Sequence, residues 1–226
     1  IVTNHRVIAK GNKVRVQLQY RGREMAALGV GDGDQIVVYD GAGLFSAARV
    51  WWTFRLMGKT DVAVLDGGFP KWQAEGREIE DMPPVVRDRH MTVSRQNQLV
   101  KDVTQVAHSA KLGEAEILDA RSAARFRGEA AEPRPGLRSG HIPGSKSIPF
   151  ADVLNPDGTM KPPADLKAVF EAAGVDLKKP AITSCGSGVT AAILSLALER
   201  IGHRNHALYD GSWAEWGRPG DTPVET

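Results

Sequence analysis

Cys185 is the only cysteine among 226 residues, and it is followed by Gly186-Ser187-Gly188-Val189-Thr190. A short run, Ala181 to Ser184, precedes it, and an apolar helical pattern follows. Two glycines in the loop let the backbone turn tightly, so that successive N–H groups can converge on one atom. The N-terminus of the following helix adds partial positive charge at the same place. Both effects favour the thiolate, the nucleophilic form of cysteine. A lone cysteine is most often a small buried hydrophobe, and this setting is what sets Cys185 apart. Two chemistries use such a loop. A cysteine phosphatase needs an arginine six positions on, to clamp phosphoryl oxygens bidentately, and that position is Ala191. Sulfur transfer needs only the thiolate, the ring of N–H donors and a group that holds the donor.

The elements that must position this loop occur twice. Residues 36–72 and 181–216 repeat each other: Asp40 falls on Cys185, Gly43 on Gly188, Gly58 on Gly202, Asp66-Gly67 on Asp210-Gly211, and Trp72 on Trp216. The offset drops from 145 to 144 between Gly43 and Ala47, so the first loop is one residue longer. In each copy a short strand (36–39; 181–184) leads through a Gly-containing loop into a helix. The apolar residues are Val50, Trp51, Phe54 and Met57 in the first helix, and Ile193, Leu194, Ala197, Leu198 and Ile201 in the second. Both sets fit a 3.6-residue period with one buried face. A second strand (62–65; 207–209), Asp-Gly and an aromatic helix start complete each copy. Strand–helix–strand at this spacing predicts parallel α/β sheets flanked by helices. Trp51, Trp52, Trp213 and Trp216 are read as core.

Residues 76–100 are polar, contain Pro83-Pro84, and read as a crossing between domains; a strand at 117–119 then opens the second sheet. Residues 129–140, rich in Pro and Gly, read as a surface loop, and 164–173 as a helix with Pro at its first turn and Gly174 after it. Residues 4–23 stand apart, with Val14, Val16, Leu18 and Tyr20 alternating with polar residues as in a strand.

Composition narrows the function classes. The chain is 42% hydrophobic and 25% charged, as in ordinary globular proteins. Its formal charge of +2 is concentrated at the start: residues 1–24 carry six Lys/Arg and one acid, leaving 23 basic and 26 acidic residues elsewhere. That distribution speaks against a nucleic-acid partner. No run of about 18 apolar residues occurs, which speaks against a membrane span. No apolar signal region is visible, so the expected location is cytoplasmic. Neither cofactor nor metal is expected. His203-x-x-His206 lies in a turn with no Cys or acid beside it in sequence, and His141 is read as structural. Gly31-Asp32-Gly33 and Gly41-Ala42-Gly43 read as turns and not as a dinucleotide fingerprint.

Several motifs resemble the rhodanese superfamily. Cys185-Gly186-Ser187-Gly188-Val189-Thr190-Ala191 is similar to the active-site loop of its 3-mercaptopyruvate sulfurtransferases; thiosulfate-using relatives typically carry C-R-K-G-V-T there. Residues 119–128 (DARSAARFRG), 140–145 (GHIPGS) and 209–216 (YDGSWAEW) also look like this family. The resemblance implies two rhodanese-like domains, the first incomplete and catalytically silent (1–82), a linker (83–100) and a catalytic domain (101–226). It implies that Cys185 takes sulfur from 3-mercaptopyruvate as a persulfide, releases pyruvate, and passes the sulfur to thioredoxin, a low-molecular-weight thiol or cyanide. Arg125 and Arg134 match the family's two arginines that hold the donor. Gly186, Ser187, Gly188, Val189 and Thr190 form the cradle, and Asp119 and Arg121 are structural. Ser187, in place of a cation, suits a donor whose charge is held by arginines. The counterparts of residue 117 and His141 in the first copy would fall before residue 1, so an Asp and a His proposed to assist the family's cysteine have no counterpart here. That leaves two alternatives, a thiosulfate-preferring enzyme and a degenerate rhodanese that carries a persulfide or binds a partner.

Overall fold

The computed structural model describes residues 13–14, 29–79 and 89–226. Most of the alternating stretch at 4–23, and Pro83-Pro84, lie outside the described residues. The chain divides into two compact units between Gln96 and Asn97, with Asp157–Thr159 belonging to the first.

In the first unit, β1 (Lys13–Val14), β2 (Gln35–Val38) and β3 (Val62–Val64) form a parallel sheet in that order. Ile36 and Val38 of β2 point into a core shared with Val30, Ala47, Phe54 and Met91. The helix α1 (Ala47–Leu56) crosses between β2 and β3, as a parallel connection requires. Its buried face is broader than the sequence pattern implies. Trp51 and Trp52 are both buried, with Arg55 over the first ring at 5.0 Å and Arg49 over the second at 4.5 Å. Val50 is only half-buried, and Met57 is the cap residue after the helix. A short helix, α2 (Gly68–Ala74), follows β3.

The polar stretch after α2 is not simply a crossing. Met91 is 8% exposed within the first core, the Ser94 N–H donates to the Met57 carbonyl at 3.0 Å, and the Gln96 N–H donates to that of Leu56 at 2.7 Å. Residues 91–96 are therefore docked on the end of α1. Gly58 permits that approach: a Cβ there would lie 2.6 Å from the Ser94 carbonyl oxygen.

The second unit holds a five-stranded parallel sheet. Its strands are β4 (Val100–Lys101), β5 (Glu116–Asp119), β6 (Lys146–Ser147), β7 (Ala181–Ser184) and β8 (His206–Tyr209), in the order β4-β8-β7-β5-β6. Every residue of β5, β7 and β8 is buried, as expected of a sheet covered on both faces. The helices are α3 (Val103–Leu112), α4 (Ala123–Phe126), α5 (Pro163–Ala172), α6 (Ala191–Arg200) and α7 (Ser212–Trp216). The unit thus opens with β4 and α3, ahead of residue 117. The start of α3 is a capping box, in which the Asp102 side chain accepts from the Gln105 N–H and the Gln105 side chain accepts from that of Asp102. Along α6, Ala191, Ala192, Ile193, Leu194, Ala197 and Leu198 are wholly buried, and Ser195 is accommodated by a 2.8 Å bond to Thr183 of β7. Trp213 and Trp216 are core residues, as the sequence implied.

Candidate active site

Cys185 lies at the C-terminal end of the central strand β7, where open parallel α/β sheets place ligands. The loop 186–190 turns the chain into α6. The thiol is nearly covered, with 2% of Cys185 exposed. Its Sγ accepts the Gly188 N–H at 3.1 Å and, more weakly, the Ser187 N–H at 3.4 Å. Gly188 has φ +78°, a left-handed conformation that side chains resist, and it turns its N–H back onto the sulfur. Thr190 caps α6 by position, without a side-chain cap bond. Ala191, where a phosphatase would need its arginine, is fully buried as the first residue of α6.

A second segment braces the loop from behind. The Trp213 N–H donates to the Cys185 carbonyl at 2.9 Å and the Ala214 N–H to that of Gly186 at 3.0 Å. Ser212 has φ +49° and is the only non-glycine with positive φ among the described residues. Its hydroxyl donates to the Tyr209 carbonyl at 2.8 Å and accepts the Cys185 N–H at 3.2 Å. Strained backbone of this kind persists where the surroundings over-determine it. Ser212 was legible only as part of the YDGSW motif; its contact with Cys185 was not.

Arg125 and Arg134 both reach Gly186. Arg134 Nη1 donates to the Gly186 carbonyl at 3.1 Å. Arg125 Nη2 would lie 3.0 Å from a Cβ at Gly186, so glycine leaves room for the guanidinium. The sequence did not single out Glu132, whose side chain is 2% exposed. Its carboxylate accepts Arg125 Nη2 at 2.5 Å and Nε at 3.2 Å, and Arg121 Nη1 at 2.8 Å. Arg121 has a fully buried side chain. It is bonded to Asp119 and to the Gly140 carbonyl and lies 4.3 Å from the Trp213 ring, which is a structural arrangement. Arg125 is thus an anchored group and not a loose surface cation.

His141 stacks on Phe126 at 3.8 Å and pairs its backbone with Glu225. His206, the first residue of β8, has an acid neighbour in space that its sequence surroundings do not show: Glu199, seven residues earlier near the end of α6, lies 3.3 Å from its Nε2. Among the described residues no group of three or more His, Cys, Asp or Glu gathers as a metal site would.

The same cradle exists in the first unit, and there it is occupied. Asp40 is 1% exposed. Its Oδ1 accepts the Ala42 N–H at 2.8 Å, and its Oδ2 accepts those of Phe45, Ser46 and Ala47 at 2.7–2.8 Å. The Phe69 N–H donates to the Asp40 carbonyl at 2.9 Å, as that of Trp213 does to Cys185.

The Rhodanese-like domain family matches residues 7–75 and 102–218. The chain belongs to the rhodanese family. The first match starts at residue 7, so most of the 4–23 stretch that looked foreign falls inside it. A thiosulfate/3-mercaptopyruvate sulfurtransferase of Arabidopsis thaliana, named as mitochondrial, is 42% identical over 222 residues, covering 89% of this chain and 59% of its own length. A thiosulfate sulfurtransferase of Bos taurus is 40% identical over 195 residues, covering 85% of this chain and 66% of its own. The crystal structure of a 3-mercaptopyruvate sulfotransferase of Escherichia coli has a TM-score of 0.74 at 39% identity, covering 82% of this chain and 69% of that one. The chain therefore spans about three-fifths of the length of the Arabidopsis relative. No helix among the described residues is long and apolar enough to cross a membrane.

Proposed function

We propose that this chain carries a sulfurtransferase site that moves sulfur from 3-mercaptopyruvate through Cys185 to a thiol acceptor. The observation that carries this reading is the meeting, at one loop, of a buried Cys185 sulfur held by backbone N–H groups with two arginines at Gly186. The Cys185 thiolate attacks the donor sulfur, the donor's C–S bond breaks, and its electrons pass to the methylene carbon. The donor's thiol proton ends on that carbon, giving pyruvate and a Cys185 persulfide anion. Guanidinium forks suit the donor's carboxylate and the charge that develops on its carbonyl oxygen. An acceptor thiol then takes the outer sulfur and returns the thiolate, so the scheme is ping-pong.

The first unit supports the persulfide step. Oδ2 of Asp40 and the outer sulfur of a persulfide both lie two bonds beyond Cβ. Oδ2 collects the N–H groups of Phe45, Ser46 and Ala47, and their counterparts are Val189, Thr190 and Ala191. Those three N–H groups would receive the outer sulfur on Cys185. The first unit, with a carboxylate in the sulfur position, is catalytically silent in this reading, and residues 101–226 carry the chemistry. A reducing compartment, cytoplasmic or mitochondrial, suits a reaction that runs through a free thiol.

The test is pyruvate release from 3-mercaptopyruvate with thioredoxin or a low-molecular-weight thiol as acceptor. Release well above that of Cys185→Ser is expected, and none above that control overturns the proposal. The bovine relative's name favours a second reading, thiosulfate as donor. Ser187→Lys, which adds a cation at the loop, is expected to raise the rate with thiosulfate relative to 3-mercaptopyruvate; an unchanged ratio counts against the assignment of donor preference to the loop.

A further inference from the structure

The two arginines at the loop are not equivalent. Arg134 makes no ion pair among the described residues; its Nη1 donates to the Gly186 carbonyl. Arg125 is held side-on, with Nε and Nη2 both bonded to Glu132. That grip holds the guanidinium against the loop: a Cβ at Gly186 would lie 3.0 Å from Nη2, which Glu132 also holds, and 3.8 Å from Nη1. Nη1 has no hydrogen-bond partner among the described residues. The charges sort the same way. The buried Arg121 and the half-buried Arg125 face two buried carboxylates, Asp119 and Glu132. These four cancel, and Arg134, at the Gly186 carbonyl, is left as a positive charge with no ion-pair partner among the described residues.

We infer that Glu132 is a positioning residue for the donor: it fixes the plane of the Arg125 guanidinium beside the loop and leaves Nη1 to donate to the substrate, while Arg134 supplies the net charge that attracts the donor's carboxylate. This rests on the sulfurtransferase reading above. A buried carboxylate with both oxygens on two arginines holds a plane as well as a charge, because bidentate pairing fixes the guanidinium's orientation. Orientation is worth most where a reacting group must be met at a set angle, and its loss lowers turnover more than it weakens binding.

Glu132→Gln keeps the size and removes the charge. Arg125 then keeps its cation but loses its aim, so kcat with 3-mercaptopyruvate is expected to fall while KM does not rise. Thiosulfate has no carboxylate or carbonyl to align. The ratio of kcat/KM for 3-mercaptopyruvate to that for thiosulfate is therefore expected to fall at least about tenfold. The ratio does not depend on how much protein is active, so a merely structural role, which lowers both donors together, leaves it unchanged. An unchanged ratio overturns the proposal. In an Arg125→Ala background, Glu132→Gln is expected to change the ratio no further, and an independent additional loss also overturns it. If Glu132→Gln does not fold, Glu132→Asp retains the charge, shortens the reach and is expected to lower the same ratio by less. If the wild-type chain turns over neither donor, the sulfurtransferase reading has failed, and a spectroscopic readout still decides on Glu132. The Arg125 Nε–H resonance, identified by its loss in Arg125→Lys, is expected to be sharp and slow to exchange in the wild type. In Glu132→Gln or Glu132→Asp it is expected to be averaged with solvent; a resonance equally sharp in the variant overturns the proposal.

Discussion

The loops at Asp40 and Cys185 are the same cradle built twice, with different occupants. Each follows a strand of its parallel sheet and leads into a ten-residue helix, α1 or α6, whose cap residue is Ser46 or Thr190. Each has its first carbonyl held by the N–H of an aromatic residue, Phe69 or Trp213. Each is backed by a residue in the left-handed region, Gly68 at φ +58° or Ser212 at φ +49°. In the first unit the side chain at the loop's start is a carboxylate that takes four N–H groups permanently. In the second it is a thiol that takes two; in the proposed reading the remaining N–H groups receive the transferred sulfur. The cradle itself is therefore a generic anion holder. In the proposed reading, the occupant decides whether it is a structural knot or a site.

That comparison can be broken in several ways. Cys185→Asp should convert the second cradle into a copy of the first: sulfur transfer, followed by pyruvate release, is expected to drop at least about a thousandfold with the fold retained. Residual turnover near the wild-type rate would show that the thiol is not the sulfur carrier. Asp40→Ala strips the first cradle of its acceptor and leaves buried N–H donors unpaired. Chemical denaturation is expected to show a loss of about 3–5 kcal/mol, and a loss below about 1 kcal/mol would mean that the knot holds little.

Gly68→Ala probes the brace. A Cβ there would lie 2.2 Å from the Gly43 carbonyl oxygen and 2.7 Å from that of Asp40, in a conformation that alanine resists. About 2–4 kcal/mol of destabilisation is expected from thermal melts. Ser212→Gly is the mirror experiment and the mildest. It relieves the left-handed backbone but loses the bond to the Cys185 N–H, so stability is expected to change by less than about 1 kcal/mol. The rate should fall more than the stability does, because the freed N–H loosens the loop that carries the thiol. A rate unchanged within error would make Ser212 a scaffold residue only.

Much of this was legible in the chain. The strand–loop–helix–strand repeat could be read because its signals are local: the β-branched run before Asp40, the apolar period along α6, and the glycines at 43 and 188. α3 is legible too, since Asp102 and Gln105 have capping-box spacing and Val103, Val106 and Ala110 follow with helical period. Residues 91–96 read as a crossing in the sequence because their composition is polar; their docking depends on one apolar side chain, Met91, and on backbone bonds to the end of α1. No composition window registers those.

By itself the sequence determined the duplicated architecture and singled out Cys185 as the candidate nucleophile, because residue types at short spacing carry that information through backbone preference and hydrophobic period; the resemblance to the family added the two arginines. Only the tertiary structure decided what surrounds them. Glu132 reads as a charge in a polar loop until the fold buries it between Arg121 and Arg125. Ser212 reads as a turn residue until the chain forces it left-handed against the Cys185 N–H. Asp40 reads as an acid after a strand until four N–H groups close on it. In each case the partner lies elsewhere on the chain or on a backbone whose direction is set by packing, and side-chain identity alone does not specify which polar group a buried charge will meet.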